Sequence, residues 1–265
     1  MLSSLNKVRD ELIRLLEDLG TNAAIQQFNN RLVMNGIAPI ISKLYVETGL
    51  IHARRNFINL KTQEVKAVPV GLGFSRIWTN NILETLRTFL VDKILFSASE
   101  TTKNMLLKQV SKGIEEGLSV SEIVKNLENY PGLQYQADRI VRTEVNRAAN
   151  LGVNEAGKSF KYEQNKTWVS IRDVRTRGAN PEDHSNHLSM HGQTVDFDSV
   201  FTDPRNGDHL KNPGDPEAKA ESTINCRCTM TLKAKRDERG RLIPKRGISV
   251  IMPGQIRNFR QTVTI

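Results

Sequence analysis

The sequence has few cysteines and no long apolar run, and these two scarcities exclude whole classes of protein. Only two cysteines occur among 265 residues, at positions 226 and 228, so the chain is no disulfide-stapled secreted scaffold. On one strand their Cβ atoms would lie about 6.6 Å apart, beyond the roughly 4 Å that a disulfide needs, so we expect thiols or metal ligands. No stretch approaches the roughly 18 consecutive apolar residues of a membrane helix, and no apolar segment follows the charges at the N-terminus. We expect a protein made in a cytoplasm, with no membrane partner.

Catalytic signatures are also missing from the sequence. There is no phosphate-binding loop, no glycine-rich dinucleotide fingerprint and no H-E-x-x-H helix. The H-x-E and P-C-x-x-C pair of the zinc deaminases is absent as well. His187 could in principle activate Cys226 as a nucleophile, but no family signature surrounds them. We therefore expect a protein that is not an enzyme.

What the sequence does contain is helical periodicity followed by short strand patterns. Hydrophobic residues make up 38% and charged residues 25%, a balance typical of globular proteins long enough for two small cores. Helical spacing of apolar residues persists to about residue 160, and strand-like runs separated by loops follow it. The predicted class is α+β, with a helical assembly domain over residues 1–130, a small domain with short antiparallel strands over 131–232, and a C-terminal arm over 233–265.

The helical part can be divided further by its caps and breakers. A stripe of Leu and Val over residues 5–19 ends at Gly20, and could pack in its own bundle or, as a short coiled coil, against a partner chain. Helices are also expected over residues 22–60 with a break between Gly36 and Pro39, and over 75–96, 99–116 and 133–159. A capping box at Ser119 and Glu122 begins a short helix. Residues 61–73 are expected to form a loop with at most one short strand.

In the second half, strands are predicted over residues 167–171, 194–197 and 224–232. A short helix over residues 181–190, capped by Asn180 or Asp183, is expected between the first two strands.

Three histidines on this predicted helix suggest a metal site. His184, His187 and His191 are spaced i, i+3 and i+7, which would align them along one face. Imidazole, thiolate and carboxylate are the ligands that Zn²⁺ takes in proteins. The predicted set for a structural zinc is His187, Cys226 and Cys228, completed by Asp173 or His191.

Two ordinary interpretations compete with functional ones here. Asp173, Arg175 and His187 could satisfy one another in a polar core, with the thiols buried as small apolar groups. On the helix over residues 133–159, Glu144 and Arg147 at i, i+3 could form a surface ion pair worth a few tenths of a kcal/mol. We expect the charged residues of that helix, among them Arg139 and Arg142, to have structural roles.

The net charge of +9 is concentrated at the C-terminus. Residues 233–265 contain nine Lys and Arg against Asp237 and Glu238, so this segment carries +7 of the total. Such an arm can bind nucleic acid or an acidic protein surface, or it can be a solvated arm without a ligand. The candidate binding residues are Arg236, Arg239, Arg241, Lys245 and Arg246.

Six pieces in a fixed order give the sequence a resemblance to a known family. They are R-x-x-R-T-E-x-x-R-A-x-N-x-G over residues 139–152, the tryptophan at 168, D-x-R-x-R over 173–177, H-x-x-x-x-G over 187–192, a loop with Phe201 and Pro204, and N-C-R-C over 225–228. His187 is aligned rather than His184 because it lies five residues before Gly192. Over about residues 120–232 the chain resembles the minor head proteins of tailed bacteriophages, the Mu F-like or head morphogenesis family.

This resemblance implies a structural protein of the virion. It implies a position inside the capsid at the portal vertex, partners that include the portal and the major capsid or scaffold protein, and a role in head assembly, DNA packaging or ejection. The basic arm would suit packaged DNA. The alternative is a metal-dependent nuclease or toxin-type effector built on the same domain. An effector of that kind is expected to carry a further catalytic domain, and the roughly thirty residues after position 232 are fewer than such a domain needs.

Overall fold

The chain folds into a helical body that carries a small sheet domain, which confirms the α+β class. A computed structural model describes residues 1–64, 73–89 and 95–245. In chain order the elements are α1 Leu2–Gln27, α2 Asn30–Lys61, α3 Gly73–Phe89, α4 Phe96–Glu115, α5 Val120–Glu128, α6 Gly132–Ser159, β1 Gln164–Val169, α7 His187–Met190, β2 Thr194–Asp196, β3 Phe201–Thr202, β4 His209–Leu210, α8 Ala220–Thr223 and β5 Thr229–Ala234. In that part of the chain, no helix combines the length and the apolar character needed to cross a membrane.

Most of the leucine stripe of α1 packs into the interior of the molecule. Leu5, Val8, Leu12 and Leu15 are buried in the main core, while Leu19 at the end of the stripe is exposed. This confirms that the helix packs on its own bundle. Gly20 bends α1, because its φ of 74° lies in the left-handed region that glycine adopts without steric cost.

The predicted break between Gly36 and Pro39 is wrong, because α2 continues through both residues. A proline inside a helix removes one backbone hydrogen bond. Ile37 and Ile41 lie on either side of Pro39 and are both fully buried, so their packing holds the helix in place. Gly36 serves a packing role: a Cβ added there would lie 2.8 Å from Val8 Cγ2 of α1.

The predicted helices over residues 99–116 and 133–159 agree closely with α4 and α6, whereas the segment predicted as helical over 22–60 is interrupted at Phe28 and Asn29, between α1 and α2. The Ser119 hydroxyl accepts from Glu122 N–H and the Glu122 carboxylate accepts from Ser119 N–H, so the capping box at the start of α5 is confirmed. Of the predicted loop at 61–73, residues 65–72 lie outside the described residues, as do residues 90–94 of the predicted helix at 75–96.

Helix α6 is the element that the two parts of the molecule share. It packs along α2, and Leu133, Ala137 and Ile140 at its start lie in the main core. Near its end Val153 lies in the smaller core of the sheet domain, together with Trp168 of β1. One helix therefore supports both cores, and the main core continues across residue 130.

The sheet domain contains two small antiparallel sheets. One has the strand order β2-β1-β5, with Thr167 opposite Thr194 and Trp168 opposite Met230. The other consists of β3 and β4. Strand β5 begins at Thr229, so the part of the predicted strand at 224–232 that holds the cysteines lies before it.

The predicted helix over residues 181–190 is wrong in most of its length, since α7 contains only the last four of these residues. The Asp183 carboxylate accepts from the backbone N–H groups of Gly178 and Asn180, which fixes a turn where the helix was expected. Asn186 is the cap, because its side chain accepts from Ser189 N–H. His184 therefore does not share a helix face with His187.

We predict that Gly152→Ala destabilises the protein. At Gly152, α6 meets α2 so closely that an added Cβ would lie 2.1 Å from the carbonyl oxygen of Gly49. Because backbone cannot move aside like a side chain, we expect a loss at the upper end of roughly 1–3 kcal/mol in the free energy of unfolding. Gly73→Ala is the control, since nothing lies within 4 Å of a Cβ there. Equal denaturation midpoints for the two variants would contradict the close helix crossing.

Candidate metal centre

The N-C-R-C motif places its two cysteines inward and its arginine outward. Asn225 has a φ of 58°, and its N–H donates to the Thr143 hydroxyl of α6 at 2.9 Å. Asparagine tolerates this left-handed conformation better than most residues. This bend turns the Cys226 side chain into the domain. Successive side chains then alternate in direction, so Cys228 is buried and Arg227 lies partly exposed at the surface.

His187 is fixed at the first turn of α7. The N–H of its neighbour Asn186 donates to both carboxylate oxygens of the buried Asp203, at 2.9 and 3.1 Å. The imidazole packs edge-on against Trp168, with 5.1 Å between the ring centroids. The Asn186 cap, the buried Asp203 carboxylate and the Trp168 ring together fix the position of the His187 imidazole.

Three potential metal-binding atoms meet in the interior of the sheet domain. His187 Nδ1 lies 3.5 Å from Cys226 Sγ and 3.6 Å from Cys228 Sγ, and all three ligand atoms lie within 4.8 Å of one another. The residues are 1%, 1% and 4% exposed. Both cysteines are free thiols.

The two thiols differ in their tendency to ionise. A hydrogen bond with the Cys228 thiol, followed by the contact with His187, holds the pKa of Cys226 well below its usual range. The same thiol pair, together with burial, raises the pKa of Cys228 far above its usual range. Cys226 is therefore the first of the pair to become a thiolate, and the backbone N–H of Cys228 donates to its sulfur at 3.4 Å.

The structure places the two candidate fourth ligands outside this cluster. Asp173 forms a two-pronged ion pair with Arg227, at 2.7 and 2.5 Å, and the guanidinium holds the pKa of Asp173 well below its usual range. His191 is exposed, and its Nδ1 accepts from the N–H of Ser170 at 3.1 Å. The expected polar core of Asp173, Arg175 and His187 is wrong, because His187 has the two thiols as its neighbours.

The sequence analysis missed the role of Glu144 and Arg147 on α6. Glu144 is 3% exposed, so its pair with Arg147 is buried and not the predicted surface pair. Its carboxylate accepts from Tyr45 O–H at 2.6 Å and from Arg147 at 2.8 Å, while burial raises its pKa. Arg147 also donates to the Thr223 hydroxyl, so this network links α2, α6 and the sheet domain.

A second connection on α6 leads directly to the cluster. The Asn150 side chain donates to the backbone carbonyl of Cys228 at 3.2 Å and accepts from the Thr229 hydroxyl at 3.3 Å. The signal in the sequence was an asparagine in the middle of a predicted helix, where a buried amide without a partner would be costly.

The first half of the basic arm is folded onto the body. Arg236 donates to the backbone of Gly240 and Gln63, and Arg241 pairs with Asp237. Lys245 points inward to Gly157 O at 2.8 Å, and burial lowers its pKa. Of the predicted binding residues that the structure describes, only Arg239 has a guanidinium without a partner; Arg246 lies outside the described residues.

The geometry defines a class of protein: a helical scaffold that carries a small α+β domain with a closed His-Cys-Cys cluster. Residues 104–231, from within α4 into β5, match the family model described as Phage Mu protein F like protein. This confirms the resemblance seen in the sequence, over slightly less than half of the chain. No curated protein and no solved structure matches the chain.

We predict that Asn225→Ala destabilises the sheet domain while Asn225→Gly does not. The oxygen of the Asn225 side chain makes no hydrogen bond within the described part of the chain, so the left-handed backbone is what the residue contributes. Alanine in that conformation costs about 1 kcal/mol, and glycine adopts it freely. Urea denaturation and the rate of thiol modification by a maleimide measure the effect. If Asn225→Gly exposed the thiols as much as Asn225→Ala, the backbone explanation would fail.

Proposed function

We propose that the protein is a structural minor head protein of a tailed bacteriophage, which acts at the portal vertex in head assembly and in DNA packaging or ejection. The family match over residues 104–231 is the observation that carries this proposal. The proposed partners are the portal protein and the major capsid or scaffold protein. In this role the chain is a component of the virion and not a catalyst.

The construction of the sheet domain supports a structural role. Its most reactive side chains, His187, Cys226 and Cys228, are almost fully buried. The cavity that His187 and Cys228 line measures about 10 Å³, room for about one water molecule and far less than the roughly 300 Å³ of a small-molecule site. Cys226 also borders a wider surface groove of about 500 Å³, but its own side chain is 1% exposed. A nuclease site built on these residues would have to admit a phosphodiester, and the burial of all three side chains opposes that.

The helical body offers the surface that we propose for contact with the portal or with other copies. Ile51 and Ile58 of α2 are both exposed, and their spacing of seven residues puts them on one face of the helix. Because the stripe of α1 is buried, this outward face of α2 replaces it as the proposed contact. Apolar side chains that recur at helical spacing on a surface are a common mode of helix docking.

We predict that the chain is recovered with purified heads of the phage that encodes it. Quantitative mass spectrometry of separated head and tail fractions gives the number of copies per head. The variant Ile51→Asp with Ile58→Asp should lower that number at least several-fold, because two buried carboxylates oppose docking. Val174→Asp is the control, since Val174 is 90% exposed on the sheet domain. Recovery of the wild-type chain only as free protein in the lysate would refute the head assignment, and equal copy numbers for both variants would refute the α2 contact.

We predict that any DNA binding depends on residues beyond Lys245. A truncation after residue 233 would remove the contacts of Ala234 and Arg236 with Gln63, so residues 1–245 are the better comparison with the full chain. The removed part contains three arginines, and each phosphate contact contributes about 0.9 to the slope of log affinity against log salt. The slope should therefore become less negative by up to about 2.7. Equal slopes for both chains would indicate that this segment faces a protein surface or has no ligand.

A further inference from the structure

We propose that His187, Cys226 and Cys228 form a structural Zn²⁺ site, in which His187 Nδ1 and the two sulfur atoms supply three of the four ligands. This inference concerns how the sheet domain is held together. It stands independently of the proposed role in the phage head.

The two distances from the imidazole nitrogen to the sulfurs are those of a tetrahedral zinc centre. With Zn–S bonds of about 2.3 Å and Zn–N bonds of about 2.0–2.1 Å, a tetrahedron has N to S edges of roughly 3.5 Å. The corresponding distances from His187 Nδ1 are 3.5 Å to Cys226 Sγ and 3.6 Å to Cys228 Sγ. Nδ1 and each sulfur are thus already spaced as two ligands of one zinc ion, and all three atoms lie within 4.8 Å of one another.

The hydrogen-bonding capacity of the three groups also favours an ion. A thiol is a weak donor and a weak acceptor, and one imidazole nitrogen cannot bond fully to two sulfurs at once. The second ring nitrogen of His187 has no partner among the described residues, so the ring depends on the cluster for all its polar contacts. Zn²⁺ would satisfy both sulfurs and Nδ1 simultaneously.

The charge balance suits the buried position. On binding, the two thiols release their protons to solvent, and the two thiolates neutralise the divalent ion beside a neutral imidazole. The product carries no net charge, which avoids the large cost of an isolated buried ion. The backbone N–H of Cys228 already donates to Cys226 Sγ at 3.4 Å, an interaction that stabilises a thiolate.

We assign the fourth ligand to a water molecule. No fourth His, Cys, Asp or Glu joins the group within the part of the chain that the structure describes, and the remaining residues contain neither His nor Cys. His187 and Cys228 line the cavity of about 10 Å³, which fits one water. The site therefore resembles a catalytic zinc in its three protein ligands but a structural one in its closure.

The ion would join two segments that are far apart in the sequence. His187 begins α7, and the two cysteines precede β5, 39 and 41 residues further along the chain. The domain between them consists mainly of loops and strands of two or three residues. Because the three ligands meet only in the folded chain, binding of the ion favours folding.

The test measures zinc in the full-length chain. Protein purified under reducing conditions, with any affinity tag removed, is incubated with Zn²⁺, desalted and analysed for metal. We expect about one zinc per chain, and a thermal midpoint that falls by several degrees with a chelator and returns with Zn²⁺. Co²⁺ in place of zinc should give the charge-transfer absorption of thiolate ligands. Loaded wild-type protein that retains no metal, and whose midpoint ignores both Zn²⁺ and the chelator, would overturn the proposal.

Matched variants identify the ligands. His187→Ala and the double variant Cys226→Ala with Cys228→Ala should lose the zinc, with circular dichroism reporting whether each still folds. Asp173→Asn and His191→Asn should retain about one zinc per chain, since neither residue joins the cluster. Loss of metal in either of these two controls would overturn the assigned ligand set. If the thiols were only small apolar groups, the midpoints of the wild type and of the double alanine variant would both be independent of zinc.

Discussion

The rest of the structure depends on the packing of α6 between the helical body and the sheet domain. Along its length this helix packs against α2 on one side and against the sheet domain, including β5, on another. Gly152 permits close approach to α2, and Asn150 holds the backbone at Cys228. The buried Glu144 and Arg147 are tolerable only because Tyr45 and Thr223 complete their hydrogen bonds. The helix motif thus specifies an interface within the molecule.

The sheet domain is under a different physical constraint, because it must stay folded with little regular secondary structure. Its strands are short, and its core consists mainly of Trp168, Met190, Phe201, Leu210 and the two cysteines. Asp203 and Asp173 fix loops through backbone N–H groups and an arginine. Small domains commonly supplement such a core with cross-links or metals. The buried cluster that contains His187 lies where a bound metal could supply such a cross-link.

Much of the fold was predictable because its signals are local. The capping box at Ser119, the bend at Gly20 and the extent of α6 follow from residues a few positions apart. One error arose where distant contacts decide, and another where two local signals compete. Pro39 does not end α2, because Ile37 and Ile41 are buried against other helices. The helix expected over residues 181–190 is replaced by turns, because the Asp183 carboxylate accepts a hydrogen bond from the backbone N–H of Gly178.

By itself, the sequence determined the fold class, the family resemblance and the residue types of the cluster, since composition, periodicity and motif order are properties of the chain alone. Only the tertiary structure decided which of these residues meet. Asp173 faces Arg227 and His191 faces Ser170, while His187 joins the two thiols. Likewise, Lys245 is drawn inward although the charge of its segment predicted an exposed arm. Side chains far apart in sequence come together through packing, and spacing along a chain does not record that geometry.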